Sequence, residues 1–501
     1  MPAHAADTPS QALALLRSRS RAASHGLYLG EGDGGPAFAA PQQGLLVLGP
    51  PRSGKTSSVV VPNVLAGSGA VVAASTKPDL LLLTAPARSS LGPCLLFDPS
   101  GTVVPGPGVR RVGWSPLSGS GSFRQASGVA EAMVLASRLG APEGDSRHWN
   151  ERAGALLSVL FHAGALGQFR FREVVSMVDC REVDDARAAL ARRDARRPLE
   201  VLRSITATDS REQSGIWSTA SSVLGCYRSE TALESAGGEL VDAEGFVSGT
   251  GTLYICAGSD QQRLVAPIVA GLVRDLRTAA YEQASARSPL GAAGWPPLLL
   301  ALDELANIAP LHDLPTLLAE GAGQGVVTLA CLQDLSQAAS RWGQREADGF
   351  LSLFGSKLVF PGIGDTRTLE ALSLLAGDAD VRVTSLTRAP RLEALLTGRL
   401  ASSLTTGVRR QRRLPVDAIA RGLPGMALLM EGVEPSFVQA VPWFASPGLG
   451  ATLDNRQSAA ATARGSDRSR ARGRGSRYLP DQGRDRGRGP GLRRGPGLGR
   501  G

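Results

Sequence analysis

Short uninterrupted apolar runs alternate with helix-period segments along most of this chain. Leu45 to Leu48, Gly69 to Ala74, Cys94 to Phe97, Thr252 to Cys256, Pro297 to Leu302, Val326 to Cys331 and Lys357 to Phe360 read as strands buried on both faces. Helical segments such as Arg263 to Ala279 stand between them, and strands separated by helices predict a parallel sheet with right-handed crossovers. Met426 to Met430 and Phe437 to Val441 are expected to form a terminal hairpin. Between Ser122 and Gly238 the pattern changes. Val129, Met133 and Ala136, then Trp149, Ala153, Leu156, Leu157, Leu160 and Phe161, recur at helical intervals, and strand-like runs are absent. That stretch predicts an all-α domain inserted into an α/β domain. Residues 1–43 contain one short helix, Gln11 to Arg21, and a Gly/Pro-rich connection, with no role assigned.

The first strand opens the most informative stretch, GLLVLGPPRSGKTSSVVV, from Gly44 to Val61. Gly49, Gly54, Lys55 and Thr56 stand at the spacing of a phosphate-binding loop between a strand and a helix-like run. The chemistry explains the spacing. Small residues let backbone N–H groups turn onto phosphate, Lys55 reaches the terminal phosphates, and the Thr56 hydroxyl ligates magnesium. Gly49, Pro50, Pro51, Arg52, Ser53, Gly54, Lys55, Thr56 and Ser57 are therefore the candidate ATP-binding residues. Chance is a poor explanation, because the chain holds only three lysines: Lys55, Lys77 and Lys357.

A second half of the site follows at Leu298 to Glu304, where an apolar strand exits into two acids. Asp303 is placed to hold the magnesium shell with Thr56, and Glu304 to orient and polarise an attacking water. Lys55, Glu304 and Gln333, at the end of the next strand, are the candidate catalytic residues, with Gln333 as a sensor of the terminal phosphate. An ordinary turn amide remains the alternative for Gln333. Lys77, in Ser75-Thr76-Lys77-Pro78-Asp79 at the exit of the second strand, reads equally as a phosphate or DNA ligand and as a solvated turn lysine. His148-Trp149-Asn150-Glu151 reads either as a binding group or, more commonly for such a pattern, as a helix start with a buried Trp.

Composition adds limits. The chain has 501 residues, 43% of them hydrophobic, enough for a large core and more than one domain. Five cysteines lie far apart without a C-x-x-C pair, so neither a disulfide framework nor a zinc site is suggested, and Cys256 and Cys331 read as small core residues. No apolar run reaches the roughly 20 residues of a membrane span, and no signal peptide opens the chain. A cytoplasmic protein, peripheral at the inner face of the cell membrane, is expected. Net charge is +9, and the twelve arginines and three aspartates from Arg464 onward account for all of it. That Arg/Gly-rich end holds too few large apolar residues to repay ordering, so 446–501 is expected to be a disordered basic tail.

Several ordered blocks carry a family resemblance across about residues 44–445. GPPRSGKT (49–56), STKPDLL (75–81), LLFDPSG (95–101), HWNERAGALLS (148–158), IWSTASSVL (216–224), LALDELANIAPL (300–311), GQGVVTLACLQDLSQ (323–337) and FGSKLVFPGIGDTRTLEALS (354–373) occur in that order. In these the chain resembles the TraG/TraD-type coupling ATPases of conjugative type IV secretion, particularly their actinobacterial branch. The resemblance implies a RecA-like P-loop motor domain (44–121 and 239–445) carrying the all-α insertion (122–238), in a homo-hexameric ring. It implies ATP hydrolysis with Mg2+ coupled to delivery of single-stranded DNA and its bound relaxase into the secretion channel. Lys55 and Thr56, the pair Asp303 and Glu304, and Gln333 take the corresponding roles, and the insertion meets substrate or accessory proteins.

Two departures stand out. Members of the family usually begin with membrane-spanning helices and this chain has none, which implies a separate membrane partner or a soluble or truncated variant. Glu320 to Gln324 lacks the arginine that relatives carry before the sensor strand, leaving Arg341 and Arg367 as substitutes. Two other readings stay open: a double-stranded DNA translocase of the FtsK/SpoIIIE kind, and a non-hydrolysing receptor that uses nucleotide only to order a ring.

Overall fold

The computed structural model describes residues 9–138, 146–258, 262–287, 295–308, 311–388, 402–432 and 434–446, with Leu449. Fourteen strands are found there: β1 (Tyr28–Gly32), β2 (Gly35–Phe38), β3 (Leu45–Leu48), β4 (Val71–Ser75), β5 (Cys94–Phe97), β6 (Val109–Arg111), β7 (Thr252–Cys256), β8 (Leu298–Leu302), β9 (Val326–Leu332), β10 (Ser356–Val359), β11 (Asp378–Arg388), β12 (Ser402–Arg412), β13 (Met426–Met430) and β14 (Ser436–Gln439). Twelve of them form one sheet in the order β2-β1-β14-β13-β10-β3-β9-β8-β4-β7-β5-β6. From β10 to β6 every neighbouring pair is parallel.

The uninterrupted apolar runs are explained by burial on both faces of this sheet. Leu46 and Leu48 of β3, Val72 and Ala74 of β4, and Leu300 and Leu302 of β8 enter one core with the helix Gln262–Arg287 and the helices that follow β6. Leu45 and Val47, Val71 and Ala73, and Leu299 and Ala301 enter the other, against the helices Pro9–Ala22, Val61–Ala66 and Asp79–Arg88. Between β6 and β7 the described residues contain helices and no strand. Trp149 there packs its ring where a Cβ on Gly215 would stand, 2.4 Å away, and Asn150 Oδ1 accepts from Arg138 Nε at 2.9 Å. The HWN block thus joins helices.

Three features differ from expectation. The sheet is mixed, because β13, β14, β1 and β2 pair antiparallel along one edge. The supposed N-terminal connection supplies two of these strands. They are short, a register shift between Tyr28 and Gly30 breaks their alternation, and β2 is only half-buried, so no period-2 signal reaches the sequence. A buried amide holds them instead: Asn63 accepts from Tyr28 N at 2.8 Å and donates to Tyr28 O at 2.9 Å. The third feature is a separate two-stranded ribbon, β11 with β12, in register from Asp378 against Arg412 to Arg388 against Ser402. The expected disordered tail lies outside the described residues, apart from Ser446 and Leu449.

Candidate functional site

Parallel strands bring their carboxyl ends to one edge of the sheet, and loops leaving adjacent strands meet there. In the order β3-β9-β8-β4, the exits carry Gly49 to Ser57, Gln333, Asp303 with Glu304, and Ser75 to Lys77. They surround one cavity of about 290 Å³, lined among others by Lys55, Thr56, Lys77, Asp303, Glu304 and Gln333. Four stretches spread from residue 49 to 333 are therefore one site.

The loop after β3 is closely fitted. A Cβ at Gly49 would stand 2.7 Å from Phe360 Cβ and 2.8 Å from Ser53 Oγ, and Gly54 has φ +99°, where side chains are rarely tolerated. Arg52 also takes positive φ, 63°. Ser53 N donates to Pro50 O at 3.3 Å, and Ser57 Oγ to Gly54 O at 3.2 Å. Ser53 Oγ is buried without a hydrogen-bond partner, an orphan that a phosphate oxygen would satisfy. Pro51 and Arg52 line the cavity mouth and are exposed. Beyond Lys55 the helix starts as a π-turn, Thr56–Val60, before continuing as Val61–Ala66.

Charge is concentrated where the strands end. The Lys55 ammonium donates to the carbonyls of Gly49 and, at 2.8 Å, Pro50, which leaves one N–H for a ligand. Burial lowers its pKa, against the opposing pull of Cys331, Asp303 and Glu304. Asp303 is almost fully buried. Its Oδ1 accepts from Thr56 Oγ1 at 2.8 Å and its Oδ2 from Ser75 Oγ at 3.3 Å. Burial nevertheless raises its pKa, with Glu304 adding to the rise, while Thr56, Ser75 and Lys55 oppose it. Cys331 also lines the cavity, its thiol buried and its pKa pushed well up by that burial, so it stays an inert thiol.

The donor set suits magnesium. Thr56 and Asp303 offer a hydroxyl and a carboxylate already in contact, a buried carboxylate that a cation would relieve. Among the described residues no cluster of three or more His, Cys, Asp or Glu forms a self-sufficient cage, as expected for an ion that keeps waters and phosphate oxygens as ligands. Glu304 Oε2 accepts from Asn307 Nδ2 at 3.0 Å, and Gln333 N donates to Gln337 Oε1 at 2.8 Å. Asn307, Gln337 and Ser75 line the cavity and were not singled out from sequence. Asn307 carried a signal, a polar residue one helical turn after Glu304. Of the two substitute arginines, Arg341 donates to Asn307 Oδ1 at 3.4 Å, whereas Arg367 is exposed and donates to Gln344 at 3.1 Å, away from the cavity.

The chain and its fold have known counterparts. Residues 9–415 match the family of type IV secretory system conjugative DNA transfer proteins. Among solved structures, the chain is similar to the bacterial conjugative coupling protein TrwBdeltaN70 in its unbound monoclinic form, with TM-score 0.63, 20% identity, and 85% of this chain and 90% of that one covered. It is also similar to the plasmid coupling protein TrwB in complex with ADP and Mg2+, with TM-score 0.57, 20% identity, and coverage of 80% and 85%. No curated protein matches. No helix among the described residues is long and apolar enough to cross a membrane. The family match covers β1 to β12 and the helical stretch between β6 and β7, and the chain belongs to the conjugative coupling proteins of type IV secretion.

Proposed function

We propose that this chain is a Mg2+-dependent ATPase that delivers single-stranded DNA with its bound relaxase to a type IV secretion channel. The observation that carries the reading is the contact between Thr56 and Asp303, 2.8 Å across 247 residues of sequence, inside a cavity that also holds Lys55, Glu304 and Gln333. The loop from Gly49 to Ser57 binds the triphosphate. Lys55 neutralises its terminal charge, and Thr56 and Asp303 hold magnesium, which supplies charge stabilisation at the phosphates. Glu304 orients the attacking water and accepts its proton, and Gln333 reports loss of the terminal phosphate.

The surrounding assignments belong to the same reading. Residues 44–121 and 239–445 form a RecA-like motor, 122–238 an inserted substrate-contacting domain, and 446–501 a basic tail that adds electrostatic affinity for nucleic acid. The motor works as a homo-hexameric ring at the inner face of the cell membrane, held there by a membrane partner. Its likeness in fold to a coupling protein solved with ADP and Mg2+ supports the choice of ligand.

The test is phosphate release by the purified chain without DNA, with single strands and with duplex, beside Lys55→Ala. Stimulation by single strands, abolished in Lys55→Ala, is expected. Preference for duplex would favour a translocase of the FtsK/SpoIIIE kind, and binding without turnover a nucleotide-ordered receptor.

A further inference from the structure

Glu304 is tethered at the strand exit. Asn307 lies one turn later on the short helix Leu305–Ile308, and its Nδ2 reaches Glu304 Oε2 at 3.0 Å. Asn307 Oδ1 in turn accepts from Arg341 Nη2 at 3.4 Å. A guanidinium only donates and a carboxylate oxygen accepts, so the two neighbours together determine which way the amide points. Arg341 belongs to the helix Leu335–Trp342, one turn beyond Gln337, whose Oε1 holds the backbone N–H of Gln333. One face of that helix therefore touches both the exit of β9 and the amide that holds Glu304.

The support is itself well fastened. Asp334 caps the helix by accepting from Ser336 N at 3.0 Å and Gln337 N at 3.2 Å. Leu335 N donates to Thr368 Oγ1 at 2.9 Å, and Trp342 Nε1 to Leu311 O at 2.8 Å. A glutamate on a strand end has three side-chain torsions to lose, and Asn307 removes much of that freedom before any substrate arrives. With Oε2 anchored, Oε1 is left for water.

We propose that Asn307 is a positioning residue for Glu304, with its amide oriented by Arg341. The assignment rests on the hydrolytic reading of the site and deepens it. It also gives Arg341 a role within its own subunit.

The experiment compares the full-length wild type with Asn307→Leu, Asn307→Asp and Arg341→Met in steady-state ATP hydrolysis, with binding of a non-hydrolysable ATP analogue and thermal melting measured alongside. Asn307→Leu should lose about 10–100-fold in kcat with KM within about threefold, since the lost interaction serves water alignment rather than nucleotide binding. Arg341→Met should lose less, about 3–10-fold, in the same parameter. Asn307→Asp keeps the shape but faces Glu304 with a second acid. It should lose at least as much kcat, again with KM within about threefold. A role in packing alone would tolerate the isosteric Asp.

Unchanged kcat in both Asn307 variants would overturn the assignment. So would a rise in kcat, which would make Asn307 a latch, or a loss carried by KM and analogue affinity. A wild type that binds the analogue yet releases no phosphate from ATP would remove the hydrolytic reading, and this assignment with it.

Discussion

Asp303→Asn should stabilise the nucleotide-free protein while removing its response to magnesium. Burial raises the Asp303 carboxyl's pKa even with Thr56, Ser75 and Lys55 pulling the other way. A carboxyl that binds its proton more tightly folded than unfolded subtracts stability at pH values above its folded pKa, and the penalty disappears as pH falls through that value. Asparagine has the same shape and no charge. Its Oδ1 can still accept from Thr56 Oγ1, and its amide can donate to Ser75 Oγ, so both neighbours at 2.8 and 3.3 Å keep partners. Relief of a strained functional site is commonly worth about 0.5–2 kcal/mol. In a chain of this size that corresponds to a rise in Tm of about 0.5–2 °C. Differential scanning calorimetry at pH 7.5 and at stepwise lower pH should show the variant above wild type, with the gap closing in acid. Adding ADP and Mg2+ should reverse the order, because only wild type keeps the carboxylate ligand and gains stability by mass action. A variant that melts below wild type without nucleotide, or a gap that widens in acid, would refute the reasoning.

Other consequences follow from particular contacts. Arg88 is fully buried, with no carboxylate beside it among the described residues; its guanidinium donates to Thr252 Oγ1 at 2.7 Å, Thr250 O at 3.0 Å, Gly69 O at 3.1 Å and Gly67 O. Arg88→Met leaves those acceptors short of a donor between β4 and β7 and should cost about 3–5 kcal/mol, read as a lower urea midpoint. Gly49→Ala forces the 2.7 Å approach to Phe360 and should cost about 1–3 kcal/mol in stability and weaken nucleotide binding in a fluorescence titration. Asn63→Leu removes both hydrogen bonds to Tyr28 and should speed hydrogen exchange in β1 and β2 while leaving the central strands protected.

The central strands were legible because a strand buried on both faces has only one way to be written, as in Leu45–Leu48 or Leu298–Leu302. Strands at the edges lack that constraint. Val109–Arg111 has two exposed residues of three, and along the ribbon residues 378–385 and 406–412 place charged and hydroxyl side chains where no core selects them. The N-terminal pair is secured by Asn63, a contact 35 residues away in sequence that no local pattern announces. At the site, the loop and the two acids stood out because their chemistry is local: glycines beside a rare lysine, and acids at the end of an apolar strand. Ser75, Asn307 and Gln337 did not, because their meaning comes from what the fold sets opposite them. Arg341 was read as a substitute for a missing arginine, and its contact with Asn307 could be found only in three dimensions.

The most direct measurement is single-turnover phosphate release by Glu304→Gln beside wild type, with analogue affinity measured on both. Wild type should hydrolyse ATP in the presence of Mg2+, and the variant should bind nucleotide equally well while releasing phosphate at least about 100-fold more slowly. Equal phosphate release by the two proteins would contradict the account.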